Sequence, residues 1–146
     1  MTSLPGTVLI YIEQWEYQCC GTPINVGDTV ALTVHQSDWS QPWWPALGQP
    51  VSLIAGHHEP RTGSIHVRVR VERLWEASAY REQQSGDDTW YLVPDSGQIA
   101  GITSMKVWDT DWQPTQDGAW PEGWIVQATI LGELPPQPDG SPYGAR

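Results

Sequence analysis

Ser64-Ile65-His66-Val67-Arg68-Val69-Arg70-Val71-Glu72 is the stretch that decides the fold class. Ile65, Val67, Val69 and Val71 alternate with His66, Arg68, Arg70 and Glu72, and a period of two sends successive side chains to opposite faces of a strand. The stretch predicts a strand with one apolar and one polar face. Its phase breaks after Arg73, where Leu74 and Trp75 follow one another. A β-bulge produces such a break and bends the strand. Pro60-Arg61-Thr62-Gly63 reads as the turn that leads in.

On the N-terminal side, Thr7-Val8-Leu9-Ile10-Tyr11-Ile12 is a continuous β-branched and aromatic run that stops at Glu13-Gln14, the pattern of a strand covered on both faces. Val26-Gly27-Asp28 turns into Thr29 to His35, where Val30, Leu32 and Val34 alternate with smaller or polar residues as in a half-buried strand. A further strand is expected around Val51-Ser52-Leu53-Ile54, and others at Asp88 to Val93 and Glu122 to Leu131. Gly97 to Trp108 reads as loop plus strand, although Ile99, Ile102 and Met105 also fit one helical turn. Helical patterning is otherwise nearly absent, and 14 Gly and 13 Pro punctuate the strands. The expectation is an all-β fold, either a small antiparallel β-barrel (OB- or SH3-like or related) or a sandwich, with long Trp-bearing loops.

With 146 residues and 16.3 kDa the chain has the size of one domain. Residues 1–134 are assigned to the β domain and 135–146, rich in Pro and Gly, to a flexible tail. Seven Lys+Arg against 17 Asp+Glu give a net charge of −10, which disfavours nucleic acid and anionic membranes as main partners. No run approaches the ~18 apolar residues of a membrane span, and the first residues show neither the charged nor the apolar region of an export signal. A cytoplasmic protein is expected.

Ten Trp and no Phe make the indole the large aromatic side chain of this protein. Trp15, Trp75, Trp90, Trp108 and Trp124 read as core filling. Two loops, 37–49 and 109–121, reach the length at which loops tend to be functional or disordered, and each carries at least two Trp. Trp39, Trp43, Trp44, Trp112 and Trp120 are therefore the candidate ligand or partner contacts. Pro42 and Pro45 flank Trp43-Trp44 and restrict the backbone, so the pair either is presented for contact or folds back to cap an open end of the barrel.

Five of the 7 basic residues, Arg61, Arg68, Arg70, Arg73 and Arg81, lie between 61 and 81. Arg68 and Arg70, on the polar face of the alternating strand, are candidate anion contacts because guanidinium binds carboxylates and phosphates bidentately. Pairing with Glu72, Glu76 and acids of neighbouring strands is the structural alternative. Cys19-Cys20 and His57-His58 are the soft or imidazole ligands available to a metal, but adjacent residues converge poorly on a tetrahedral centre. No metal or cofactor is expected. Nothing in the spacing pairs a cysteine with a histidine for nucleophilic catalysis, and Asp87/Asp88 and Asp109/Asp111 sit in turn-like sequence.

Trp15-Glu16-Tyr17-Gln18-Cys19-Cys20-Gly21-Thr22-Pro23-Ile24-Asn25-Val26-Gly27-Asp28-Thr29-Val30 resembles the opening of a family of short uncharacterised actinobacterial proteins with the pattern Trp-x-x-x-Cys-Cys-Gly-x-Pro-x-x-Val-Gly-Asp-x-Val. That family has no assigned activity, so the resemblance lends no site residues.

The reading that follows is a non-catalytic barrel module that binds a small molecule or a protein partner through its Trp-rich loops. The alternatives are a cofactor-free barrel enzyme of the cyclase type, whose aromatic pocket folds a hydrophobic substrate into a reactive shape, and a saccharide-binding module. Because Cys19 and Cys20 are neither paired nor metal-bound in this reading, thiol titration of the unfolded protein is expected to find both thiols. Metal analysis of the purified protein is expected to find no stoichiometric zinc.

Overall fold

In the computed structural model, residues 6–13, 23–36, 42–48, 51–56, 63–83, 86, 89–105 and 118–143 are described. They form strands β1 (Thr7–Glu13), β2 (Thr29–Gln36), β3 (Leu53–Ala55), β4 (Ile65–Ala79), β5 (Arg81–Gln83), β6 (Trp90–Leu92), β7 (Gln98–Ile102) and β8 (Trp120–Glu133), with one helical turn, α1 (Trp44–Leu47). The pairing order β2-β3-β1-β8-β4 returns to β2, because Thr29 to Val34 also pair with Arg70 to Ile65. The sheet therefore closes into a five-stranded barrel, with β7 added along the second half of β4. β5 and β6 form a separate hairpin-like pair.

One pairing departs from the antiparallel expectation. β3 runs parallel to β1, with Ile10 opposite Leu53. Parallel neighbours need a long crossover, and the chain between β1 and β3 provides one because it contains the whole of β2.

The β4 register shifts between Val71 and Arg73, with further shifts at Arg68/Val69 and Ala77/Ser78. Before the Val71/Arg73 shift, Val67, Val69 and Val71 face the barrel interior; beyond it Leu74 does, while Trp75 and Ala77 join a second apolar cluster on the outside. β1 is buried on both faces as its composition predicts: Val8, Ile10 and Ile12 point inward, and Leu9 and Tyr11 outward. β8 divides likewise, with Trp124, Val126 and Ala128 inside and Ile125 outside. Each fully buried aliphatic side chain of this kind contributes about 1.5–3 kcal/mol.

The described part of the C-terminal segment makes contacts with itself and with the barrel. The Gln137 side-chain amide donates to the carbonyls of Ser141 and Pro142. The Tyr143 N–H donates to Thr33 Oγ1 at 2.7 Å, and its ring meets the His66 ring edge-on at 5.4 Å.

Gly123 sits where β8 crosses β1, and a Cβ there would run into the carbonyl of Ile12. Backbone pairing of Glu13 with Gly123 leaves neither strand room to give. Gly123→Ala is expected to destabilise the fold by at least about 1–3 kcal/mol, the usual range for overpacking. Gly132→Ala, which meets open space, is expected to stay within about 0.5 kcal/mol. Urea midpoints of the two variants make the comparison.

Candidate functional site

The second apolar cluster lies on the outer face of β1, β8 and β4, and the turn around α1 covers part of it. Trp43 anchors this cover. Its ring is fully buried and lies 4.9 Å from the ring of Tyr11, tilted by 33°. Its indole N–H donates to the Ser78 carbonyl at 2.9 Å. The Pro42 carbonyl accepts from the Gly97 N–H at 3.0 Å, and a Cβ at Gly97 would collide with both Pro42 and Trp43. Two hydrogen bonds and a glycine contact thus fix the turn against β4 and the start of β7. Trp43 is consequently not a ring presented to partners; it caps the outer face of the sheet rather than an open end of the barrel.

Beside this cluster a partly buried ion pair joins β5 to β8. Arg81 donates through Nε and an Nη to the two carboxylate oxygens of Glu122, both at 2.6 Å. Glu122 is 7% exposed. The Tyr11 hydroxyl donates to the Glu122 backbone carbonyl at 3.0 Å. Burial, followed by the charges of Glu122 and Glu13, raises the Tyr11 pKa well above the ordinary tyrosine value. The phenol is therefore a hydrogen-bond donor at neutral pH, and each oxygen of the Glu122 carboxylate accepts one bond from Arg81.

Between these features and solvent lies Arg73. Its guanidinium stacks 4.9 Å above the ring of Trp75, which is 9% exposed. Two clefts open on either side. One, of about 260 Å³, lies between α1 and the outer sheet and is lined by Leu9, Ala46, Leu47, Ile99 and Gln127 together with Arg73 and Trp75. The other, of about 240 Å³, lies where β4 leaves β2 for β7 and includes Val26, Glu72 and Thr103. Arg73 and Gln127 are cross-strand partners. Among the described residues neither side chain has a hydrogen bond or ion pair.

The sequence candidates fall out differently. Arg70 is exposed and pairs with Glu72 at 2.9 Å, the structural alternative named above. Thr129 donates to the same carboxylate oxygen, and these two hydrogen bonds, Thr129 first, hold Glu72 below its usual pKa. Arg68 faces solvent on β4. Trp120 is half-buried at the start of β8. Trp44 belongs to α1, and its side chain is outside the described residues, as are Trp39, Trp112, Cys19, Cys20, His57 and His58. No group of three His, Cys, Asp or Glu suited to a metal occurs among the described residues. No helix there is long and apolar enough to cross a membrane. Of the core tryptophans, Trp75 and Trp124 are buried but Trp90 is 51% exposed. Sequence reasoning did not single out Arg73 with Trp75; the signal available was that residues two apart on a strand share a face.

A family model of unknown function, DUF6578, matches residues 6–130, a span that takes in β1 to β7, most of β8 and both clefts. The chain belongs to this family. The DUF6578 match ends before the last residues of β8 and the docked C-terminal segment. No curated protein and no solved structure matches the chain.

Two outcomes check the wiring of this region. Trp43→Ala removes a fully buried ring and a buried hydrogen bond and is expected to cost about 3–5 kcal/mol, read as a lower urea midpoint. For Tyr11 the folded pKa is raised, so the folded state holds the proton more tightly than the unfolded chain. Its stabilisation is complete below the ordinary value of 10.0 and is lost as pH rises beyond it. The stability difference between the native protein and Tyr11→Phe is thus expected to be flat through neutral pH and to shrink above about pH 10.

Proposed function

We propose that this protein is a non-catalytic β-barrel module, acting in the cytoplasm, that binds a small molecule or a protein partner on the outer face of its barrel beside the Trp43 turn. The observation that carries the reading is how the apolar side chains are divided. One cluster fills the barrel from all five of its strands, so those residues serve closure. The second is built outside, where clefts of about 240 and 260 Å³ flank an arginine that has no acidic partner among the described residues. Binding sites commonly combine an apolar lining with a few convergent polar groups. Glu122 and Arg81 are engaged with one another, and the Tyr11 hydroxyl with the Glu122 backbone, which supports binding over catalysis. The actinobacterial origin read from the Trp15 to Val30 pattern belongs to the same proposal.

A metabolite-retention experiment tests this. The protein is incubated with a small-molecule extract of cells and recovered by ultrafiltration, and the retained and free compounds are compared by mass spectrometry. Expected is at least one compound enriched with the protein and chemically unchanged. Consumption of a compound with appearance of a product would favour the cyclase-type alternative, and retention of sugars alone would favour a saccharide module.

A further inference from the structure

We infer that the cleft between α1 and the outer sheet is a binding site for a small monocarboxylate with a short apolar body, its carboxylate held by Arg73 and Gln127 and its body laid over Leu47 and Ile99. The inference rests on the binding-module reading and adds the ligand class to it.

The polar end follows from Arg73. A guanidinium stacked on an indole keeps its N–H edges free for a carboxylate while one face is held. The ring contact restricts part of the side chain's freedom before any ligand arrives, which favours binding. Gln127 stands directly across from Arg73 in the β4–β8 pairing and lines the same cleft, so its amide N–H can complete the clamp. Arg68 and Arg70 lack this setting. The first has no cleft beside it among those described, and the second is engaged by Glu72.

Charge selects between the two clefts. The 240 Å³ cleft contains the Glu72 carboxylate, whose lowered pKa keeps it anionic, and a like charge there repels an anion. The 260 Å³ cleft contains no acidic residue and is apolar at Leu9, Leu47 and Ile99. Size sets the body. The cleft offers about 260 Å³ and is open to solvent on one side, space for a ligand of about ten non-hydrogen atoms. Aliphatic acids such as hexanoate and octanoate, or phenylacetate, meet that bound. A polyanion does not enter it.

The test titrates full-length protein with sodium octanoate, with phenylacetate and with neutral octanamide, following two-dimensional NMR of the tryptophan indole N–H groups and isothermal calorimetry. Expected is saturable one-to-one binding of at least one carboxylate that shifts the Trp75 indole signal, with octanamide at least tenfold weaker. Arg73→Gln, at an exposed position and so expected to fold, should weaken the carboxylate at least tenfold, while Arg68→Gln on the same strand leaves it unchanged. Absence of saturable carboxylate binding, equal affinity for octanamide, or an Arg73→Gln variant that binds as the native protein does would overturn the inference. If the carboxylates fail while the retention experiment still recovers an unchanged compound, only the ligand class is wrong. If both fail, the binding-module reading falls with it.

Discussion

The rest of the structure depends on the register shift between Val71 and Arg73 in β4. A strand with unbroken period two that buries Val67, Val69 and Val71 inside a barrel would also turn Trp75 and Ala77 inward and leave Leu74 outside. Glu72 is the extra residue that reverses the phase, so one strand contributes to the barrel interior in its first half and to the outer cluster in its second. At the same point β4 exchanges one neighbour for another, with β2 reaching Arg70 and β7 beginning opposite Leu74. The turn before β2 closes the seam. Gly27 N–H donates to the Val71 carbonyl and Val71 N–H to the Asp28 carbonyl, both at 2.9 Å. Gly27 does this with a φ of 94°, a conformation that side-chain-bearing residues rarely adopt. The Val-Gly-Asp element of the N-terminal pattern is thus a structural fitting for the bulge.

Legibility in the sequence followed the range of the interaction. β1, β2, β4 and β8 are readable because their apolar period is a local property, and the phase break at Leu74-Trp75 exposed the bulge for the same reason. The parallel β1–β3 pairing, the short β5 and the choice of barrel over sandwich depend on the path of the chain, which no local pattern encodes. Trp43 shows the limit at a single residue. Its flanking prolines fit either a presented ring or one folded back over the barrel, and what decides between them, an indole bonded to a carbonyl 35 residues away, is invisible to a window of sequence. Arg68 and Arg70 were selected on charge and guanidinium geometry. Arg73 has the same charge, and what distinguishes it is an aromatic platform and a cleft, both products of folding.

The partly buried ion pair of Arg81 and Glu122 contributes little net stability yet is costly to break from one side. Desolvating Arg81 and Glu122 consumes much of their Coulomb attraction, so the net contribution of such a pair is small. Removing one partner is a different matter, because it strands a charge that is 7% exposed in the case of Glu122; losses of about 3–5 kcal/mol are usual. The pair thereby links β5 to the start of β8. It also explains why Tyr11, whose hydroxyl reaches the Glu122 backbone from the outer face of β1, can sit at full burial. Its one polar atom is satisfied at the pair, leaving the ring to pack on Trp43.

A net charge of −10 and a site for an anion are compatible because the two act over different distances. At physiological ionic strength exposed charges are screened beyond about 8 Å. A polyanion lying across the protein would meet many surface carboxylates at short range and be repelled along its whole length. A monocarboxylate entering the cleft beside α1 comes close to Arg73, while Glu72 is occupied by Arg70 and Thr129. The acidic surface then acts as a filter of size and charge number. It slows approach of any anion, but only those small enough to fit within one screening length of Arg73 gain a contact that offsets the repulsion. Raising the ionic strength weakens the long-range repulsion and the short contact with the exposed Arg73 together, so the apolar contacts of the body with Leu47 and Ile99 are the part of the affinity that salt leaves in place.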